Sequence, residues 1–133
     1  MELIADTTVL IDLWRFRNKR FQIENLIEKV GDASLIVPWI TQAEFSRGAL
    51  FKGVPPESLS TFYGSFLLLP LDQKTIDRYC ELWVGMAKAG NAPDYPDIWI
   101  AASASARNLP LITRNPKHFA RIPDLKVINY QIR

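Results

Sequence analysis

The chain has 133 residues, enough for a sizeable core, and we expect a single domain over residues 1–133. Hydrophobic residues make up 48% of the sequence and charged residues 23%, a composition that excludes a disordered chain. No apolar run approaches the roughly 20 residues of a membrane span. No basic segment with a cleavage site precedes the first apolar run, so we expect a cytoplasmic protein without a secretory signal. The single Cys80 excludes an internal disulfide, and the net charge of +2 is a mild lean toward anionic partners.

The first half of the chain alternates short apolar runs with amphipathic segments. Residues 3–5 predict a strand that stops at Asp6, and residues 8–16 predict a helix. A basic cluster at 15–20 precedes a second helix, which apolar residues at helical spacing predict between Phe21 and Val30. The other predicted elements of this half are a strand at 34–37, a helix at 41–51, a helical pattern at 59–66 and a strand at 67–71.

The second half continues the alternation. Its predicted elements are a long helix from residue 72 or 73 to 90, a proline-bearing loop at 91–96, an alanine-rich helix at 98–107 that begins at Asp97, and strands at 111–113 and 126–130. Strands that alternate with helices predict a parallel sheet covered on both faces. The expected fold class is therefore a three-layer α/β/α domain with four to five strands.

Three acids stand where strands or loops lead into helices: Asp6, Glu44 and Asp97. Each has an ordinary structural explanation. Asp6 can cap the first helix, Thr41 and Glu44 fit a capping box, and Asp97 follows Pro96 in an expected first helical turn. Taken one at a time, capping is the commoner role for an acid at such a position.

Together, the same acids predict a site. In open parallel sheets ligands bind at the carboxyl ends of the strands, and a site there would gather Asp6, Glu44 and Asp97. It would also include Thr113 and Asn115, which follow the fourth strand. Two carboxylates about 4–5 Å apart repel by roughly 3–4 kcal/mol at an effective dielectric near 20, so such a cluster needs a bound cation or a shared proton. Ligands that are all oxygen favour Mg²⁺, with Mn²⁺ as a substitute.

Four segments, taken in order, resemble the successive motifs of a PIN domain, and more narrowly those of VapC-type toxins from bacterial toxin–antitoxin pairs. They are residues 6–12 (DTTVLID), 41–45 (TQAEF), 97–102 (DIWIAA) and 111–119 (LITRNPKHF). The resemblance covers nearly the whole chain. It implies a Mg²⁺-dependent endoribonuclease that leaves a 5′-phosphate and a 3′-hydroxyl. It also implies a homodimer and a cognate VapB-type antitoxin that silences the enzyme.

The resemblance assigns roles to the three acids. Asp6 and Asp97 are expected to hold the metal ion, and Glu44 to bind it directly or through a water molecule. An ion there would polarise the scissile phosphate and orient a water for in-line attack. Glu44 or Asp97 would then accept the proton of that water. The lone His118 lies in the fourth motif, where we expect a surface or phosphate-side role.

The resemblance also singles out four neighbours of these acids. Asn115 stands where the family has a fourth acid, and its amide oxygen can ligate a metal without adding charge, so one or two ions remain possible. Asp94 is a spare carboxylate that could compensate, with a solvated loop acid as the better alternative. Thr7 and Thr113 are expected to support the ligands or bind water through their hydroxyls, although either can be only a cap or turn residue.

An RNA substrate would approach this pocket across cationic side chains near the motifs. We expect phosphate contacts from Arg47, Lys52, Arg114 and Lys117. Any one of these is more often a solvated surface charge. Asp12, more than a turn beyond the end of the first strand, is expected to be a structural or surface acid outside the site.

The sequence leaves two other functions open. A PIN-fold protein that binds RNA or a partner, with weak or lost cleavage, is consistent with the amide at Asn115. A receiver-like phospho-switch would use Asp72, after the third strand, as its phospho-acceptor. Against this, Asp6 has no second acid beside it, and Lys126 precedes the last strand, whereas a receiver needs its lysine at the end of that strand.

Overall fold

A five-stranded parallel sheet lies at the centre of the structure, a computed structural model that describes residues 1–91 and 95–133. Its strands are β1 (Glu2–Ala5), β2 (Ser34–Pro38), β3 (Leu67–Leu69), β4 (Leu111–Thr113) and β5 (Val127–Asn129). The order across the sheet is β3-β2-β1-β4-β5, with every neighbouring pair parallel. The predicted parallel sheet is confirmed, and the carboxyl end of β1, where Asp6 follows, lies at the middle of one sheet edge.

Helices cover both faces of this sheet. They are α1 (Thr7–Arg15), α2 (Glu24–Val30), α3 (Trp39–Phe51), α4 (Pro56–Tyr63), α5 (Gln73–Lys88) and α6 (Tyr95–Ser105), with short 3₁₀ segments at Arg20–Ile23 and Pro116–Phe119. Within the described ranges, no helix is both long and apolar enough to cross a membrane.

Alternate residues of the central strands face opposite layers, as the two-residue period of a strand requires. Ile4 of β1 packs in one core with residues of α5 and α6. Its neighbours Leu3 and Ala5 pack in a second core with residues of α1 and α2. A third core joins α1 to α3 and α4 through Leu10 and Phe45. Residues 3–5 of β1 are buried on both faces of the sheet, which agrees with their continuous apolar run.

Several predicted boundaries were wrong. The single helix expected between Phe21 and Val30 is a 3₁₀ turn followed by α2, because the backbone at Ile23 (φ −106°, ψ 18°) leaves helical geometry. Helix α3 begins at Trp39, two residues early, since the extended Pro38 leads from β2 directly into the helix. Helix α6 begins at Tyr95, so Asp97 lies within its first turn.

The receiver-like alternative was wrong. Doubly wound receiver sheets have the order 2-1-3-4-5, whereas β1 is central here. Asp72, its supposed phospho-acceptor, is the N-cap of α5 and accepts a hydrogen bond from the Thr75 amide at 3.0 Å. It also forms an ion pair with Arg107. Hydrogen bonds from Thr75 and then Arg107 lower the pKa of Asp72 to about 2.

Candidate active site

A cleft of about 480 Å³ opens beside the carboxyl end of β1. Its lining residues come from four separate parts of the chain: Asp6, Thr7, Thr8, Glu44, Pro96, Asp97, Asn115 and His118. The cleft therefore brings together all four residues that were predicted as metal ligands. Asp94, the predicted spare acid, lies outside the described residues.

Asp6 is 6% exposed and is held by two threonine hydroxyls. Its Oδ2 accepts hydrogen bonds from Thr8 Oγ1 at 2.9 Å and from Thr113 Oγ1 at 2.7 Å. Asp6 stands at the N-cap position of α1, but its side chain makes no capping hydrogen bond. The capping explanation of Asp6 was therefore wrong, and Thr113 touches this acid from β4.

Glu44 is oriented in the same way by Thr7, whose Oγ1 donates to Glu44 Oε1 at 2.7 Å. The capping box expected from Thr41 and Glu44 is absent. Because α3 begins at Trp39, Thr41 lies inside its first turn, and its hydroxyl donates to the Ala5 carbonyl at 3.0 Å. Hydroxyl hydrogen bonds thus fix one carboxylate oxygen of Asp6 and one of Glu44.

Asp97 and the loop after β4 form the other side of the cleft. Asp97 Oδ2 lies 3.8 Å from Nδ1 of the exposed His118, an ion pair only when the imidazole is protonated. The backbone amide of Asn115 donates to Thr113 Oγ1 at 3.0 Å. Thr113 therefore connects Asp6 to the loop that carries Asn115 and His118.

The donor set of the cleft is rich in oxygen, which suits a hard divalent cation. In the part of the chain that the structure describes, Asp6 Oδ1 and Glu44 Oε2 accept no hydrogen bond. Within the same residues, however, no group of three or more His, Cys, Asp or Glu side chains is placed closely enough to hold a metal ion. The predicted ligands share one cleft without forming a closed coordination shell.

A groove of about 510 Å³ between α1 and α3 adjoins the cleft, because Glu44 lines both. Its walls are mainly apolar, and three cations also line it: Arg15, Arg17 and Lys52. Glu44 and Gly48 of α3 and its C-cap residue Lys52 follow one another at intervals of four residues, which places them in one row along the groove. The guanidinium of Arg17 lies 4.1 Å from the centroid of the Trp14 ring.

The predicted phosphate-binding cations occupy different surroundings. Lys52 lines the groove. Arg47 and Lys117 are exposed and form no ion pair with another described residue. Arg114 instead binds Asp12, with Nε 2.7 Å from Asp12 Oδ2. A phosphate contact by Arg114 remains a prediction.

Asp12 is the residue whose surroundings the sequence reasoning missed. Asp12 was expected to be a structural or a surface acid; the structural role is confirmed, because Asp12 is 1% exposed and accepts a hydrogen bond from the Tyr130 hydroxyl at 2.6 Å. Burial, and then this hydrogen bond, raise the pKa of Tyr130. The hydrogen bond to Asp12 likewise raises the pKa of Arg114. A signal was present: Asp12 falls at helical spacing between the apolar Val9 and Phe16, on the inner face of α1.

Comparison with known proteins gives consistent matches. A family model described as PIN domain matches residues 3–125. Ribonuclease VapC1 of Haemophilus influenzae strain R2866 is 30% identical over 131 residues, which cover 95% of this chain and 96% of that protein. Ribonuclease VapC1 of Methanocaldococcus jannaschii is 29% identical over 123 residues, covering 92% and 82% of the two chains.

Solved structures agree with the fold. VapBC-1 from nontypeable Haemophilus influenzae aligns with a TM-score of 0.79 at 26% identity, covering 97% of this chain and 98% of that one. VapBC2 from Rickettsia felis, bound to a DNA fragment from its promoter, aligns with a TM-score of 0.81 at 24% identity, covering 98% and 100%. The second match is evidence of the fold alone.

Proposed function

The chain belongs to the PIN-domain family, and from that premise we propose that it is a metal-dependent endoribonuclease, the toxin of a type II toxin–antitoxin pair. The observation that carries the proposal is the convergence of Asp6, Glu44, Asp97 and Asn115 on one cleft. Relatives named as ribonucleases over nearly the full length support it. The reaction is hydrolysis of an RNA phosphodiester bond by water.

The residues of the cleft have different roles in that hydrolysis. Asp6 and Glu44 each have one oxygen held by threonine hydroxyls and one open to a ligand. Glu44 or Asp97 is the general base that accepts a proton from the attacking water. His118, beside Asp97 at the mouth of the cleft, donates to a phosphate oxygen when it is protonated.

A divalent cation, Mg²⁺ or Mn²⁺, would be held by Asp6 and Asp97, by Glu44 directly or through water, and by the amide oxygen of Asn115. The oxygen donor set and the open oxygens of Asp6 and Glu44 support this assignment. When bound, such an ion supplies Lewis-acid polarisation of the phosphate and a water of lowered pKa. With an amide at Asn115, we propose that one ion is sufficient.

RNA would cross the cationic side chains around the cleft. Lys52 supplies a charge in the groove that adjoins Glu44, and the exposed Arg47 and Lys117 supply further charges on either side of the motifs. Contacts of this kind position a phosphate backbone without reading its bases. We therefore expect binding to weaken steeply with salt.

The proposal also covers the binding partner, the oligomeric state and the cellular location of the protein. Solved structures described as VapBC complexes support a VapB-type antitoxin as the binding partner. We further propose a cytoplasmic homodimer built from single-domain chains, and light scattering of the purified protein tests the oligomeric state.

The proposal is tested with Asp6→Asn and Glu44→Gln. Both replacements keep an oxygen that can accept the threonine hydroxyls, so we expect folded proteins, reduced Mn²⁺ binding by calorimetry and no cleavage of RNA in Mg²⁺. The matched control is Glu28→Gln, an exposed acid of α2 that lines neither the cleft nor the groove. Retained cleavage in both cleft variants would show that the acids are structural.

A second function, RNA or partner binding without cleavage, is favoured by one observation: the fourth acid position holds the amide of Asn115. The wild-type protein decides between the two functions. RNA retention in a gel without metal-dependent cleavage, in either Mg²⁺ or Mn²⁺, would establish binding alone.

A further inference from the structure

An ion pair between the buried Asp12 and the half-exposed Arg114 joins α1 to the loop after β4, and the proposed reaction makes no use of it. Both oxygens of Asp12 are bound: Oδ2 by Arg114 Nε at 2.7 Å and by the Tyr130 hydroxyl at 2.6 Å, and Oδ1 by Arg114 Nη2 at 3.4 Å. Tyr130 is itself 1% exposed. The three groups come from α1, from the end of β4 and from the segment after β5.

Stability alone does not explain a carboxylate at this place. Removing the Asp12 carboxylate from water costs several kcal/mol, and apolar residues of similar volume often stabilise a core as well as a buried charge with its partner does. Apolar packing, however, does not fix the direction of a polar side chain as hydrogen bonds do. Two charge-assisted bonds fix the orientation of the Arg114 guanidinium on Asp12, and the Tyr130 hydroxyl holds the Asp12 carboxylate itself.

Arg114 lies between Thr113, which contacts Asp6, and Asn115, which lines the cleft. Its backbone amide donates to Thr8 Oγ1 at 3.2 Å, while its side chain reaches Asp12. Thr8 and Asp12 are four residues apart on α1, so the two attachments lie on one face of that helix.

We infer that Asp12, Arg114 and Tyr130 are positioning residues that fasten the 113–119 loop to α1 and thereby set where Asn115 and His118 face the acids of the cleft. The consequence for catalysis rests on the proposed function. The consequence for the loop does not, and it is measured separately.

The first measurement is amide hydrogen exchange, followed by NMR, in Asp12→Asn and Tyr130→Phe. The control is Leu59→Ala, which weakens a core that contains no residue of the 113–119 loop. In Asp12→Asn we expect the amides of Arg114 and Asn115 to exchange about tenfold faster relative to the amides of α5, a helix that packs in neither the Leu59 core nor the Tyr130 core. Leu59→Ala should leave that ratio unchanged. If Asp12→Asn does not fold, Tyr130→Phe, which keeps the ring and removes one donor, should raise the ratio about threefold.

The second measurement is RNA cleavage as a function of Mg²⁺ concentration. A misplaced loop should raise the Mg²⁺ needed for half-maximal cleavage by about tenfold. The KM for RNA at saturating Mg²⁺ should stay unchanged, and excess Mg²⁺ should restore the rate. Leu59→Ala, assayed where it is folded, should keep the wild-type Mg²⁺ requirement.

Three results are decisive. An unchanged exchange ratio in a folded Asp12→Asn or Tyr130→Phe variant overturns the inference. A changed KM for RNA with an unchanged Mg²⁺ requirement also overturns it, because Arg114 would then act as an RNA contact. If the wild-type protein cleaves no RNA, the proposed function fails, while the exchange ratio still decides whether these residues position the loop.

Discussion

Replacing Thr113 by Val tests the hydrogen bonds that connect β4 to the first acid of the cleft. Thr113 is fully buried, its hydroxyl donates to Asp6 Oδ2 at 2.7 Å, and it accepts from the Asn115 amide at 3.0 Å. Valine has nearly the same shape and keeps the β-branched side chain that strands favour. The replacement therefore removes two hydrogen bonds and little else.

The expected loss of stability follows from those two bonds. A hydrogen bond to a charged group contributes about 1.5–3 kcal/mol and a neutral one about 1 kcal/mol, and the added methyl group of Val returns about 0.8 kcal/mol. We expect Thr113→Val to lower the free energy of unfolding by about 2–3 kcal/mol. Thr113→Ser keeps the hydroxyl and loses a buried methyl, so it should cost only about 1 kcal/mol.

Urea unfolding followed by tryptophan fluorescence measures both variants, in EDTA so that metal binding does not contribute. If apolarity and strand propensity alone decided stability, the Val variant would be more stable than the Ser variant. If the hydrogen bonds decide it, the Ser variant is the more stable one. RNA cleavage should fall about tenfold in Thr113→Val, through Asp6, and stay close to wild type in Thr113→Ser. A Val variant that is as stable and as active as the Ser variant would refute the reasoning.

Three further predictions concern other parts of the molecule. Asn115→Asp should tighten Mn²⁺ binding about tenfold. The gain is smaller than a new carboxylate beside a cation would give alone, because the Asp6 carboxylate repels the new one. Unchanged Mn²⁺ affinity in calorimetry would mean that position 115 is not a ligand. Asp72→Asn should lower the free energy of unfolding at pH 7 by about 1 kcal/mol, since Asp72 is 44% exposed and solvent screens its pair with Arg107. Because the pKa of Asp72 is lowered to about 2, its contribution is present above about pH 4 and is lost toward pH 2; urea midpoints that do not converge with wild type in acid would contradict this. Gly48→Ala should raise the unfolding free energy by about 0.5–1 kcal/mol, because no atom of the described residues lies within 4 Å of the added methyl group, apart from the chain neighbours and the backbone of its own helix. A lower thermal midpoint would show that the groove is not open there.

Local pattern was enough to predict much of the fold. The strand at residues 111–113 was predicted with its observed bounds because its apolar run is short, buried and followed by a polar residue. Ile23 shows the limit of this approach: apolar spacing continues through it, while the backbone leaves the helix. Spacing describes which face is buried and does not describe how the backbone turns.

The convergence of the acids was predictable because the carboxyl ends of parallel strands share one edge. What holds them was not predictable. Thr41 and Glu44 have the spacing of a capping box, yet their hydroxyl and carboxylate bind partners 36 and 37 positions away. The contact between Asp12 and Tyr130 spans 118 positions, and the helical spacing that places Asp12 on the inner face of α1 does not identify Tyr130 as its partner.

The same long separations bear on when the protein acquires activity during its synthesis. Thr113 lies 107 positions after the acid that it contacts, and β4 completes one side of the central strand. At about 5–20 residues per second, a ribosome needs at least roughly 5 s to make the chain between them. Under the proposed function, the nascent chain would not cleave RNA over that interval, because Asp6 would lack the Thr113 hydroxyl that holds it.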